Sequence, residues 1–289
     1  MRPPLGRFSQ QVAIVTGATR EPSIGRATAA ALAREGASVV LNGRSAEAAA
    51  QAESALRAEG LEVCSVVGSV GEDETTRALA ATAVERYGRI DLVVNTVGGA
   101  PSRATPRDID RDSLMGTIEL NTWSAVALTQ CAVEAGLGAD GRGGAVVNIS
   151  SGTVHKTTPE MVAYAAAKSA LNAITRTLAR DLAALGVRVN AVAPGLTQTD
   201  GTRAMWESDD GRAAAANLLL GRLTRAQDIA SACLFLLSGD ARQITGQILD
   251  VDGGNHLSGG GWTPVTDPVI QARARPPEVP GNDETSPDD

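Results

Sequence analysis

Tyr164 and Lys168 stand three alanines apart in the run Tyr164-Ala165-Ala166-Ala167-Lys168. The run lies in a segment whose apolar spacing predicts a helix over residues 161–185, so the phenol and the ammonium project from one face, a single turn apart. A phenol, with an ordinary pKa of about 10, is a poor proton shuttle at neutral pH, and an adjacent cation favours its ionised form. Lys168 is predicted to supply that cation and, as a compact ammonium, to donate to both hydroxyls of a ribose. The chain has two tyrosines and two lysines, arginine carrying nearly all other positive charge, so the pairing is not a by-product of frequent lysine. The plain alternative is a pair on a solvated helix face.

Ser151 lies thirteen residues before Tyr164, just after an apolar run at residues 145–149. Strand ends face the ligand crevice of an open parallel sheet, and a hydroxyl there can hold a carbonyl oxygen. Ser150 competes for that role, and a blander reading makes both simple turn residues. Asn121 falls in a predicted helix over residues 120–135, where its amide could hold a water in a proton relay; a solvent-facing asparagine is the alternative. His155 is read as a loop residue. His155 and His256 are the only histidines, neither in an HExxH pattern nor in metal-ligand spacing, so no metal is expected.

Positioning these side chains requires a scaffold, and the chain spells one out. Apolar runs at 12–15, 39–41, 63–67, 92–94, 145–149, 187–192 and 248–251 alternate with helical segments that include 23–35, 46–59, 75–87, 161–185 and 226–237. The fold class is therefore α/β, a Rossmann-type doubly wound parallel sheet of about seven strands flanked by helices. Gly36, Gly60, Gly88 and Gly186 are placed at helix ends. The first strand runs into Thr16-Gly17-Ala18-Thr19-Arg20-Glu21-Pro22-Ser23-Ile24-Gly25, a turn whose backbone N–H groups can meet a pyrophosphate at a helix N-terminus. The usual middle glycine is missing, with Glu21-Pro22-Ser23 in its place. After the second strand, Asn42-Gly43-Arg44-Ser45 offers no carboxylate to an adenosine ribose; Arg44, with Arg20, is predicted to fork onto a 2′-phosphate instead. That favours NADP(H) over NAD(H), the alternative being two solvated surface arginines.

The length suits one domain at 10–258 with an N-terminal extension at 1–9 and a Gly/Pro-rich acidic tail at 259–289, read as poorly ordered. Aromatics form 2% of the chain, so the core must be built from Ala, Val, Leu and Ile. Of the formal charge of -7, Glu278, Asp283, Glu284, Asp288 and Asp289 in the tail contribute five negative charges. No Lys/Arg-rich stripe appears, so no nucleic-acid partner is expected. No apolar run approaches the roughly 18 residues of a membrane span, and Met1 to Phe8 lacks an apolar signal region. Cys64, Cys131 and Cys233 are widely spaced and odd in number, fitting a reducing compartment; a cytoplasmic protein with no membrane partner is expected. Residues 199–221 mix Gly, acidic and Ala-rich pieces and are read as a mobile, partly helical substrate lid, with Met205, Trp206 and Leu218 to Leu220 as an apolar wall.

Taken together, these motifs resemble the short-chain dehydrogenase/reductase family over residues 10–256. Asn95-Thr96-Val97-Gly98 is similar to its NNAG element, Asn190-Ala191-Val192-Ala193-Pro194-Gly195 with Thr197 and Thr199 to its nicotinamide-side PG segment, and Asp250-Val251-Asp252-Gly253-Gly254 to its final strand. The resemblance implies a catalytic tetrad of Asn121, Ser151, Tyr164 and Lys168. It implies cofactor contacts at Gly17, Thr19, Arg20, Ser23, Ile24, Gly25, Asn42, Arg44, Asn95, Val97 and Gly98, and at Tyr164, Lys168, Pro194, Gly195, Thr197 and Thr199. Where the family commonly has an Asp contacting adenine, this chain has Ser69, leaving that contact to Ser69, Val70 and backbone groups. A homotetramer or dimer is implied, with Trp206 a candidate subunit contact. The loop with Ser23-Ile24 also resembles the enoyl-thioester reductase branch, which spaces its Tyr and Lys more widely; the spacing here matches the carbonyl-reducing, 3-oxoacyl-thioester reductase-like branch. The implied activity is reversible reduction of a ketone or 3-oxoacyl-type carbonyl by NADP(H), with Tyr164 as proton donor. A rival from another class is a non-catalytic NADP(H)-binding sensor or scaffold, since fold alone excludes neither; enoyl-thioester reduction is a third reading.

Overall fold

Strand β1 (Val12–Val15) is buried along its whole length, which is why it reads as an unbroken apolar run rather than an alternation. In the computed structural model, which describes residues 6–257 apart from 102, 157, 210, 212–214 and 216–217, β1 pairs with β2 (Ser38–Gly43) on one side and β4 (Leu92–Asn95) on the other. Beyond these lie β3 (Val63–Val67), β5 (Gly144–Ile149), β6 (Val187–Pro194) and β9 (Ile248–Val251). All seven strands are parallel, in the order β3-β2-β1-β4-β5-β6-β9. The direction of winding reverses between β1 and β4, opening a crevice at their carboxyl ends, where ligands bind in such sheets.

Helices cover both faces. α1 (Ile24–Arg34), α2 (Ala46–Ala58) and α8 (Ala226–Leu237) close one face, with Ala29, Leu32, Leu56, Ile229 and Cys233 in its core cluster. α3 (Asp73–Tyr87), α5 (Ser124–Glu134) and α6 (Val162–Asp181) close the other, through Leu79, Ala83, Leu128, Ala132 and Ala179. Alanine-rich faces let the helices approach closely, which explains a core nearly free of rings. Phe8 is an exception: it falls in the segment read as an extension, yet it is fully buried in the first cluster. Local signals set the ends. Ser23 caps α1 by accepting from the Arg26 N–H at 3.1 Å, and Gly88 ends α3 in the left-handed conformation at φ +80°.

Three elements depart from the sequence reading. The predicted helix over 120–135 is the second half of a longer one: α4 (Arg111–Ile118), capped by Asp110, leads into a π turn at Glu119–Trp123 and then into α5. The segment 161–185 divides into α6 and a 3-10 turn at Ala183–Leu185. The region read as a lid begins with a 3-10 turn at Asp200–Thr202 and α7 (Arg203–Trp206). Two short strands flank it, β7 (Thr197–Gln198) and β8 (Thr224–Arg225), and they pair with each other, so both ends of the segment are tied together. The tail at 259–289 lies outside the described residues, among which no helix is long and apolar enough to cross a membrane.

Candidate active site

β5 ends at Ile149, and the chain turns through Ser150 and Ser151 into a 3-10 turn at Gly152–Val154. The two serines have different surroundings. Ser150 is buried and its hydroxyl donates to Asn172 Oδ1 at 2.6 Å, fastening β5 to α6. Ser151 Oγ accepts from the Thr153 N–H at 3.2 Å, lies 3.0 Å from the Thr153 hydroxyl, and stands near enough to the Tyr164 phenol to lower its pKa. Of the two candidates, Ser151 is therefore the one beside Tyr164. Helix α6 carries Lys168 to the same end of the sheet, where its side chain is 2% exposed and Nζ donates to the Ile149 carbonyl at 2.7 Å. Nζ lies 5.8 Å from the centroid of the Tyr164 ring.

The electrostatics correct the expectation that Lys168 makes Tyr164 acidic. Burial pushes the phenol above its usual pKa, and the interaction with Ser151 offsets this in part. Burial likewise pulls Lys168 down from 10.5 to about 7, because its amine is enclosed with a carbonyl rather than a carboxylate for a partner. The i, i+4 spacing brings the groups into one site, but the low-dielectric surroundings outweigh their mutual effect.

Gly98 forms the opposite wall. A methyl group there would lie 2.6 Å from Asn121 Oδ1 and 2.8 Å from Lys168 Nζ, so a side chain at this position would displace one of them. Asn121 sits in the π turn, where its Nδ2 donates to Gly99 O and Thr117 O, each at 2.9 Å, and its Oδ1 accepts from the Gly99 N–H at 2.9 Å. The two amide hydrogens are thus engaged by the protein, which leaves the second lone pair of Oδ1 as the group on this side chain that can meet a water. The side chain holds the loop after β4 against the π turn, a helix irregularity common at functional sites.

Around the crevice, Gly17 is left-handed at φ +61°, and α1 packs so closely that a Cβ on Gly25 would lie 2.4 Å from the Gly17 carbonyl oxygen. Ser23 bridges the same turn, its hydroxyl donating to Gly17 O at 3.3 Å, with Ile24 opening α1 beside it. Thr19 lies over the end of β2, where Gly43 leaves room for it, and Arg44 follows as an exposed side chain. Arg20 is 3.7 Å from Asp200, in an exposed pair reaching the segment after β7. Asn42 is a correction: its amide donates to Val66 O at 3.2 Å and Gly68 O at 3.1 Å, so it joins β2 to β3 instead of facing the crevice. Asn95 donates to Asn148 Oδ1 at 2.9 Å, and Asn148 to Thr175 at 3.0 Å, a buried polar ladder the sequence reading missed. The signal was a lone Asn inside the buried run Val146-Val147-Asn148-Ile149, which demands a partner. Across the cleft, Gly195 packs on Asp252, Pro194 O lies 3.3 Å from where a Gly152 Cβ would stand, and Thr197 donates to Gly195 O at 3.0 Å. Thr199 is engaged by the Thr202 hydroxyl at 2.9 Å.

A family model described as Enoyl-(Acyl carrier protein) reductase matches residues 17–256. The human dehydrogenase/reductase SDR family member 4 is 36% identical over 248 residues, covering 86% of this chain and 88% of that protein. A short-chain type dehydrogenase/reductase from Mycobacterium ulcerans superposes with a TM-score of 0.82 at 31% identity, covering 88% of this chain and 92% of that one. The chain belongs to the short-chain dehydrogenase/reductase family. Another relative, the 7alpha-hydroxysteroid dehydrogenase of Clostridium sardiniense, is 36% identical over 259 residues, covering 86% of this chain and 94% of that protein. A 7alpha-hydroxysteroid dehydrogenase solved with NADH and 7-oxo glycochenodeoxycholic acid superposes with a TM-score of 0.80 at 30% identity, covering 88% of this chain and 98% of that one.

Two places where this short-chain dehydrogenase/reductase departs from the family pattern have physical accounts. Thr96 in the NNAG-like element bonds the Thr16 carbonyl through its hydroxyl, and its N–H donates to Thr16 Oγ1 at 2.9 Å, so it locks β4 to β1. Val97 packs partly buried against the second core cluster. At the adenine-side position, Ser69 O accepts from the Glu72 N–H at 2.9 Å. Val70 is 4% exposed within the second core cluster, so its side chain is packed there and its backbone is the part left to meet an adenine.

Proposed function

We propose that this protein is an NADP(H)-dependent oxidoreductase that interconverts a ketone or 3-oxoacyl-type carbonyl and the corresponding alcohol. The observation that carries the reading is the convergence of Ser151, Tyr164 and Lys168 at the end of β5, opposite Gly98. A nicotinamide nucleotide fits this arrangement: Lys168 has three N–H donors and uses one on Ile149 O, and Gly98 removes the side chain that would fill the space beside Nζ. A neighbour solved with NADH and a 7-oxo compound supports the nicotinamide and carbonyl parts of this reading.

Within that reading, the nucleotide supplies or accepts the hydride. Tyr164 donates the proton to the developing alkoxide oxygen, or takes it in the reverse direction. Ser151 hydrogen-bonds the same oxygen and eases ionisation of the phenol. Lys168 holds ribose hydroxyls, and these acceptors stabilise its charged form against the burial that lowers its pKa. Asn121 holds the loop carrying Gly98. The N-terminus of α1 with Gly17, Thr19, Ser23, Ile24 and Gly25 receives the pyrophosphate. The absence of a carboxylate after β2, with Arg44 exposed there, supports NADP(H). The three cysteines are free, in keeping with a cytoplasmic protein, and a homotetramer or dimer is the assembly we infer.

The test is a carbonyl panel with NADPH and NADH, run beside a crotonyl-type thioester and a thermal-shift titration with each nucleotide. Carbonyl-dependent oxidation of NADPH is expected. Stabilisation by nucleotide with no turnover of any carbonyl would favour the sensor reading, and turnover of the unsaturated thioester alone would favour enoyl reduction.

A further inference from the structure

Hydroxyls inside helices normally bond back to their own helix, four residues earlier. Thr28, Thr117, Ser124, Thr129 and Thr175 all do so here, donating to Ile24, Ser113, Leu120, Ala125 and Leu171 carbonyls at 2.7 to 2.8 Å. Thr122 does not. It lies in the π turn, is buried, and donates across to the Ala167 carbonyl of α6 at 2.8 Å. Ala167 immediately precedes Lys168, is itself fully buried, and has a side chain small enough to let the π turn come close.

The two neighbours in the π turn thus grip opposite sides of one space. Asn121 takes the Gly99 backbone through both halves of its amide, and Thr122 takes the backbone of α6 one residue before the buried amine. Between them stand Gly98 and Lys168 Nζ, so close that a Cβ on Gly98 would lie 2.8 Å from Nζ. A π turn resets the direction in which successive helical residues point, so adjacent positions can serve two partners here.

We propose that Thr122 is a positioning residue that sets the register of α6 against the π turn and so places Lys168 relative to Gly98. The proposal rests on the reading of Lys168 as a nucleotide-holding group, and its test must separate the two. Thr122→Val removes the hydroxyl at nearly constant volume, leaves the Ala167 carbonyl with its helical partner, and frees α6 to shift. Thr122→Ser restores the donor. Lys168→Met reports on the underlying reading.

The measurements are kcat, KM for NADPH and the pH profile of kcat for all four proteins, with thermal denaturation as the structural control. Thr122→Val is expected to lower kcat by about tenfold, since small misplacements of positioned groups carry costs of that order, and to move the pH midpoint. Thr122→Ser is expected to recover both. Loss of thermal stability with unchanged kcat, KM and pH profile in Thr122→Val would overturn the proposal, as would failure of Thr122→Ser to recover activity while folding normally. If Thr122→Val fails to fold, Thr122→Ser alone decides, its wild-type pH midpoint being required. Full activity in Lys168→Met would instead remove the functional reading beneath it.

Discussion

Lys168 is an enclosed amine with no carboxylate paired to it among the described residues, and that has a measurable consequence in the absence of nucleotide. Burial lowers its pKa from 10.5 to about 7. A lowering of that size corresponds to roughly 4–5 kcal/mol of cost when the charged form is held in the fold. Between the two values the unfolded chain binds the proton and the folded chain does not, so stability rises with pH from about 7 towards 10.5, and the cost is fully felt below about 7. From pH 7 to 9 the gain is about 2–3 kcal/mol. Burial raises the pKa of the Cys64 and Cys233 thiols, which gives an opposite trend at alkaline pH, so the comparison must be with a variant that differs at this position alone. Lys168→Met keeps the unbranched chain as far as the Cε position and removes the titration. Thermal denaturation at pH 6.5 and pH 9 is expected to show Lys168→Met as the more stable protein at the lower pH, with the gap narrowing by roughly 5–10 °C at the higher. Saturating NADPH should flatten the wild-type slope by favouring the ammonium. Parallel pH profiles for the two proteins would refute the claim that this amine is buried and uncompensated.

Ser151→Ala removes the interaction that lowers the Tyr164 pKa, so the acid limb of the kcat profile for alcohol oxidation, where the phenol must lose its proton, should move to higher pH and kcat should fall by about 10²-fold; steady-state kinetics across pH checks this. Arg44→Ala should weaken NADPH binding by roughly tenfold or more while leaving NADH nearly unchanged, read by fluorescence titration; equal effects on both nucleotides would remove Arg44 from the 2′-phosphate site. Phe8→Ala empties a fully buried position, and a loss of about 3–5 kcal/mol is expected in a denaturant titration, marking residues before position 10 as part of the core.

The strands could be read from the sequence because a sheet covered on both faces imposes unbroken apolar runs, and Val12–Val15 and residues 92–94 obey that rule. The spacing of Tyr164 and Lys168 likewise carried over into shared location. What it did not carry was the sign of the electrostatics: spacing along a helix gives proximity, whereas the pKa values follow from how much water the surrounding chain excludes. Ser150 and Ser151 are chemically identical in sequence, and only the pairing of β5 with α6 assigns one to Asn172 and the other to Tyr164. Asn42 occupied a cofactor position by motif, but the end of β3 provides two carbonyls that claim its amide. The π turn left no composition signal, since Glu119 to Trp123 reads as ordinary helix.

The central claim is that Tyr164 passes a proton to the oxygen of a carbonyl beside bound nicotinamide. It is tested most directly by following NADPH oxidation by wild-type protein and Tyr164→Phe with one turned-over carbonyl, while measuring nucleotide affinity in both. The account expects Tyr164→Phe to bind NADPH as tightly as wild type and to turn over at least about 10²-fold more slowly. Equal turnover by the two proteins would contradict it.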